Sequence, residues 1–186
     1  MRPAPPPAQV ARAPGGQALR WPCPIASAQM PSPQDRYREV AGRFATGVAV
    51  VTCDGPDGPA GLTTNAITSL SLDPLLLLVC FDNDSRTLPA VRAAGRFAVN
   101  ILSEGQDELA RVFASKRIPG EKFEAVTHIV EHGVPVIDGA LAWIACDLRE
   151  LLPGGDHTIG IGAVTQMEAT DRRPLLWFAG GYARLA

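Results

Sequence analysis

Residues 140–169, ALAWIACDLRELLPGGDHTIGIGAVTQMEA, decide the fold. Ala140 to Leu152 and His157 to Ala169 are strand-forming runs, and Pro153-Gly154-Gly155-Asp156 between them is turn chemistry. The stretch therefore predicts two long strands joined by a turn. Inside the second strand, Gly160-Ile161-Gly162 is half of the G-x-G-x-x-G string that a dinucleotide-binding sheet places between a strand and a helix. Here it sits within a strand pattern, so a doubly wound parallel sheet is rejected.

The rest of the chain extends the same pattern. Val48-Ala49-Val50-Val51-Thr52 is mostly β-branched, and the turn-rich Asp54-Gly55-Pro56-Asp57-Gly58-Pro59 predicts a hairpin returning through Ala60 to Thr64. Leu75 to Phe81 is an apolar run too short for a typical helix, which predicts a strand buried on both faces. Arg96 to Leu102 and Pro174 to Phe178 add two more strands. Helices are few. Tyr37, Val40, Ala41 and Phe44 follow an i, i+3, i+4, i+7 spacing, predicting an amphipathic helix over 36–45 that Gly47 stops. Glu104 to Ser115 carries Leu109, Val112 and Phe113 at helical spacing. Many strands with short helices predict a mainly β chain folded as a closed or nearly closed barrel.

Composition excludes several function classes. The chain has 186 residues, 17 basic against 19 acidic, and a net charge of -2, so no electrostatic footprint for nucleic acid is present. No apolar run reaches the roughly 18 residues of a membrane helix. Cys23, Cys53, Cys80 and Cys146 show no C-x-x-C spacing, which argues against a zinc site or a disulfide scaffold and suits a reducing cytoplasm. Residues 1–34 hold nine of the 17 prolines and no acidic residue, so all 19 acids fall in 35–186. That segment predicts a disordered Pro/Ala-rich tail or a start codon placed too early. Arg2, Arg12 and Arg20 suit a transit peptide, but no amphipathic period accompanies them.

One string imitates a metal site. His128-Ile129-Val130-Glu131-His132 matches H-x-x-E-H, which binds zinc only where a helix puts both histidines on one face. Strand-forming Ile129 and Val130, followed by Gly133-Val134-Pro135, predict a short strand or loop instead, and no metal is expected.

Three segments carry more information. Gly61 to Ser71, GLTTNAITSLS, is small and polar in a strand context, which lets a flat polar ligand approach the backbone. Taken alone it is equally a Ser/Thr-rich edge strand. Phe81 to Pro89, FDNDSRTLP, leads from a strand into a helix, with Ser85 or Thr87 placed to cap it and Pro89 in its first turn. Free N–H groups, the helix dipole and Arg86 make an anion site there, although an ordinary cap explains the same residues. Finally, Gly154-Gly155-Asp156-His157 and Phe178-Ala179-Gly180-Gly181-Tyr182 combine glycines, a switchable imidazole and flat aromatic surface.

In addition to these segments, Phe44-Ala45-Thr46-Gly47-Val48, Ser69-Leu70-Ser71-Leu72-Asp73-Pro74, Phe97-Ala98-Val99-Asn100-Ile101-Leu102 and Phe113-Ala114-Ser115-Lys116 occur in order along the chain. Together they resemble the short-chain flavin reductases with an FMN-binding split barrel, the reductase components of two-component monooxygenases. The resemblance runs from about Tyr37 to Leu185. It implies a split β-barrel and an NAD(P)H:flavin oxidoreductase using FMN or FAD and NADH or NADPH. It also implies a homodimer and a separate oxygenase that receives the reduced flavin. One departure is Asp73-Pro74-Leu75, where the family often has two prolines.

Carried over by position, the resemblance implies that Thr46, Gly61, Leu62, Thr63, Asn65 and Ala66 lie along the flavin ring and ribityl chain. Cys80, Phe81 and Asp82 border the ring, and Ser85, Arg86 and Thr87 hold the phosphate. Val112, Phe113 and Lys116 fall near the flavin tail or the dimer contact. His157, the expected catalytic residue, lies with Phe178, Gly180, Gly181 and Tyr182 on the nicotinamide side. Since the same fold hosts several activities, a non-catalytic flavin- or haem-binding module for storage or sensing is the alternative.

Overall fold

The computed structural model of the chain describes residues 31–124 and 126–185, so the expectation for the Pro/Ala-rich segment lies almost wholly outside the described residues. Helix α1 (Pro33–Ala41) is followed by strands β1 (Thr46–Gly47), β2 (Ala49–Gly55), β3 (Gly58–Thr64), β4 (Ile67–Leu72) and β5 (Leu75–Asp82). Next come α2 (Thr87–Ala94), β6 (Arg96–Ile101), α3 (Asp107–Ala114) and a short 3₁₀ turn (Gly120–Lys122). The remaining strands are β7 (His128–Glu131), β8 (Val134–Ile137), β9 (Ala142–Gly154), β10 (His157–Ala169), β11 (Leu176–Phe178) and β12 (Gly181–Ala183).

Seven strands form one antiparallel sheet in the order β3-β2-β6-β9-β10-β5-β4. Strands β3 and β4 stand at opposite edges of that sheet, yet only Asn65 and Ala66 separate them along the chain. Three Cα steps of about 3.8 Å cannot span more than roughly 11 Å. The sheet must therefore curl until its two edges meet at that link, while no ladder joins β3 to β4 among the described residues. The result is a split barrel. Smaller sheets, β1-β11-β12 and β7-β8, flank it.

Two large apolar clusters and a small third one around Ala98, Val134 and Ala145 fill the interior, and β2 runs between the large two. Val51 and Cys53 pack with Val79, Phe81, Val91, Phe97 and Val99 on one side. Val48 and Val50 pack with Leu102, Ala110, Phe113, Phe123 and Ile137 on the other. The rings of Phe81 and Phe97 meet edge to face, 6.1 Å apart, beneath β10. A Cβ at Gly160 would stand 2.6 Å from the Phe81 ring, and one at Gly162 would stand 2.7 Å from the Phe97 ring. The Gly-Ile-Gly string is thus a packing requirement. Asn100 is fully buried and joins three strands: its amide donates to the Val50 carbonyl and Thr52 hydroxyl, and its oxygen accepts from the Ile137 N–H at 2.8 Å.

Several sequence expectations need correction. The strand buried on both faces is β2, whereas β5 alternates: Leu77, Val79 and Phe81 are buried, and Leu76, Leu78 and Cys80 are half-buried. Among the described residues, that second face is covered only in part. Helix α1 begins at Pro33 and ends at Ala41, earlier than the apolar spacing predicts. Ser32 and Asp35 form a reciprocal capping box that fixes the start, and Pro33 suits the first turn. Its apolar stripe is present but uncovered: Tyr37, Val40 and Phe44 are 74%, 66% and 77% exposed. One expectation in this region holds: the His128-x-x-Glu131-His132 string forms a short strand, β7, and its turn. The His128 ring packs on Phe123 at 5.1 Å and bonds the Val126 carbonyl, away from any shared helix face with His132.

Candidate functional site

The chain segment Leu62–Ala66, which closes the barrel, passes between two unlike clefts. The smaller, about 380 Å³, is lined by Leu62 and Thr63 of β3, by Asp82, Asp84, Ser85, Arg86 and Thr87 at the β5–α2 junction, and by residues following α3. Lys116, Arg117 and Lys122 come from that last stretch, so four cations face two carboxylates. The larger cleft, about 1070 Å³, takes Asn65, Ala66 and Ile67, Leu78 and Cys80 of β5, Thr46, Trp177, Gly180, Tyr37 and Ala41 of α1, and Phe44 just beyond it.

Local bonding explains the small cleft. The Asp82 carboxylate accepts from the Asp84 N–H at 2.8 Å, and the Ser85 hydroxyl accepts from the Thr87 N–H at 3.0 Å. Ser85 therefore caps the start of α2 from the residue before Arg86, while Thr87 is buried within the first turn. This leaves Arg86 exposed at the mouth. Across the cleft, the Thr63 hydroxyl donates to the Ala110 carbonyl at 2.7 Å. Lys122 as a residue is only 7% exposed, and its ammonium donates to the carbonyls of Gly61 at 3.2 Å and Phe113 at 3.0 Å. Burial first, and then the charge of Arg86, pull the Lys122 pKa below the ordinary lysine range. Gly61 is under the Phe113 ring, where a Cβ would come within 2.7 Å.

The sequence-predicted residues divide between the clefts. Leu62, Thr63, Asp82, Ser85, Arg86, Thr87, Phe113 and Lys116 line the small one, and Thr46, Asn65, Ala66, Cys80 and Gly180 line the large one. The Asn65 amide donates to the Thr46 hydroxyl at 3.1 Å, fixing both at the large cleft's edge. Phe81 is fully buried against Phe97 and lines neither cleft. Phe113 likewise offers little beyond its buried ring edge. Val112 lies outside both clefts, where its carbonyl accepts from the Ser115 hydroxyl. Phe178 is 43% exposed, and Gly181 pairs with it across the β11–β12 turn. Tyr182 stacks edge-on against Trp177 at 5.0 Å and lies beneath the Arg111 guanidinium at 4.9 Å.

His157 begins β10 opposite Asp82, so its position adjoins the small cleft although its ring lines neither. Its Nδ1 bonds the Asp156 carboxylate at 2.8 Å, and that bond, with Arg38 contributing weakly, holds Asp156 below the usual carboxylate range. Thr158 and Asn83 tie the hairpin to the β5–α2 junction: the Thr158 hydroxyl donates to the Asn83 amide oxygen, and the Asn83 amide N–H donates to the Gly155 carbonyl. Burial pushes the Cys53 and Cys146 thiols up to about 12, whereas Cys80 lies at the large cleft wall. Sequence reasoning missed Lys122, Arg117 and Trp177. A lone lysine in a turn has no periodicity to mark it, and only the approach of β3 to α3 gives it a site.

Comparison with known proteins agrees with this architecture. Residues 41–186 match the family described as the flavin reductase like domain. Over 147 residues the chain is 42% identical to a probable flavin reductase of Rhizobium meliloti, covering 78% of this chain but 47% of that protein. It is 39% identical over 150 residues to the reductase subunit HsaB of a flavin-dependent monooxygenase of Mycobacterium tuberculosis, covering 78% of this chain and 79% of that one. Among solved structures, the NADH:FAD oxidoreductase SgcE6 of Streptomyces globisporus superposes with a TM-score of 0.78 at 39% identity, over 86% of this chain and 98% of that chain. That protein has also been solved in complex with NAD and FAD fragments. The fold and its paired clefts define a split-barrel protein of the flavin-reductase type. The chain belongs to the flavin reductase like family.

Proposed function

We propose that this protein is an NAD(P)H-dependent flavin reductase that transfers a hydride from NAD(P)H to FMN or FAD and supplies the reduced flavin to a separate oxygenase. One observation carries the reading. A single five-residue segment, Leu62–Ala66, borders both a cationic cleft suited to a phosphate and a larger apolar cleft with room for flat rings. A phosphorylated flavin needs those two environments side by side, so the residues present fit it.

When bound, flavin and nicotinamide supply the redox chemistry between them. Arg86 and Lys116 hold the phosphate by charge, helped by the positive end of the α2 dipole. Thr63, Asn65 and Ala66 line the ribityl chain and ring along the barrel seam, and Cys80 borders the ring. Thr46 keeps Asn65 oriented. His157 orients the nicotinamide nucleotide from the rim, its ring steadied by Asp156. Phe178, Gly180, Gly181 and Tyr182 form the opposite margin. No acid–base pair is required, because the protein's task is to align two rings.

A second copy of the chain covers the apolar stripe of α1 and the open side of the large cleft in this reading. Tyr37, Val40 and Phe44 are large apolar side chains left exposed, and Tyr37 and Phe44 both line the large cleft, the kind of surface that a partner covers. Cys53, Cys80 and Cys146 are free, which suits a cytoplasmic setting. No helix among the described residues is long and apolar enough to cross a membrane. The deciding experiment is NAD(P)H oxidation by purified protein with and without FMN or FAD. Oxidation that depends on added flavin is expected; none with either nucleotide would sink the proposal.

A further inference from the structure

The small cleft contains a cation that the reading above leaves without a task. Lys122 follows the Pro119-Gly120 turn and is 7% exposed, among the most buried polar residues described. Its ammonium has three donors. Two are spent on the Gly61 and Phe113 carbonyls, and Lys122 lines the cleft together with Arg86. Among the described residues, no carboxylate stands at ion-pair distance from either Lys122 or Arg86. A buried charge is costly unless an opposite charge accompanies it, and two carbonyl dipoles do not neutralise an ammonium.

We propose that Lys122 is a third phosphate-binding cation, working with Arg86 and Lys116 on one phosphate group, and that the Gly61 and Phe113 carbonyls hold its ammonium at that post. The inference rests on the flavin-reductase reading and deepens it by assigning a further binding residue. Geometry supplies the main support. Lys122 fastens β3 to the end of α3 at the point where both border the cleft, and Gly61 lies directly beneath Phe113. One remaining N–H is left for a ligand. Electrostatics agrees: the burial and the neighbouring Arg86 that disfavour the charged lysine are both opposed by a phosphate dianion.

The test compares FMN with riboflavin, which lacks the phosphate, in wild-type protein and in Lys122→Met. Flavin fluorescence gives both dissociation constants, and a melting curve checks folding. Losing one hydrogen bond to a charged partner should raise the FMN Kd roughly 10- to 100-fold, with the riboflavin Kd unchanged. Equal losses for the two flavins, or an unchanged FMN Kd, would overturn the inference by making Lys122 a structural tie alone. If Lys122→Met does not fold, reductive methylation of wild-type protein followed by peptide mass spectrometry decides instead. FMN should slow modification of Lys122 while riboflavin does not, and equal protection by both would overturn the proposal. Wild-type protein that neither binds flavin nor oxidises NADH with it defeats the flavin-reductase reading, a failure seen before any variant is made.

Discussion

The walls of the small cleft are fastened within the chain: Thr63 to Ala110, Lys122 to Gly61 and Phe113, and Ser85 to the first turn of α2. The large cleft is built differently, from apolar side chains that the chain leaves half or fully exposed, among them Tyr37, Phe44 and Leu78. Hydrogen bonds to backbone groups are directional, and those that hold the polar walls are made within one copy. An apolar wall has no such closure. It stays open until another surface removes it from water, which is why the second copy is proposed on that side and not on the other.

Perturbing one cleft should therefore cost folding or phosphate affinity, and perturbing the other should cost association. The largest effect belongs to Phe113→Ala, which empties the buried volume that its ring fills over Gly61. Urea denaturation should show about 3–5 kcal/mol lost. A loss below 1 kcal/mol would mean that the small cleft does not rest on this ring. Next is Arg86→Ala, expected to weaken FMN binding by roughly 1–3 kcal/mol while riboflavin binding barely changes. Equal losses for both ligands would place Arg86 away from the phosphate.

His157→Ala probes the rim between the sites. It should raise the KM for NADH and lower kcat/KM on the order of tenfold, with the flavin Kd unaltered, since ring alignment and not flavin contact is lost. Lost flavin binding with intact NADH kinetics would move His157 to the flavin side. Phe44→Ala should change the stability of a single copy by no more than about 0.5 kcal/mol, because the ring is already in water. Light scattering should nevertheless show weaker self-association. A variant that self-associates like the wild type would break the proposed contrast between the clefts. The smallest effect concerns the N-terminus. A chain beginning at Pro31 should keep its melting temperature and activity, whereas one beginning at Gln34 loses the Ser32 cap and about 1 kcal/mol of local helix stability. Equal behaviour of the two would show that α1 contributes nothing to the measured transition.

Much of this molecule is legible in local patterns. β10 spans His157–Ala169 as its composition predicts, and the turn at Asp54–Pro59 returns the chain into β3. These features depend on backbone preferences and turn chemistry, which act over a few residues. Boundaries were harder to read: α3 is Asp107–Ala114 and β9 is Ala142–Gly154, each displaced from the apolar run that announces it. For α1 the capping box, and not the apolar spacing, sets the start.

What the amino-acid order determined by itself was the strand-rich character, the order of the polar segments, and the residue types able to hold a phosphate and flat rings. Tertiary structure decided how those segments divide. Folding brought Leu62–Thr63 and Asn65–Ala66 to different clefts, turned Phe81 and Gly160 into a packing pair, and gave Lys122 two carbonyl partners 61 and 9 residues away along the chain. The reason is physical. Strand propensity and turn chemistry are local, whereas burial, the desolvation of a charge and the space beneath a ring depend on residues that meet only when the sheet curls and its edges come together at Asn65–Ala66.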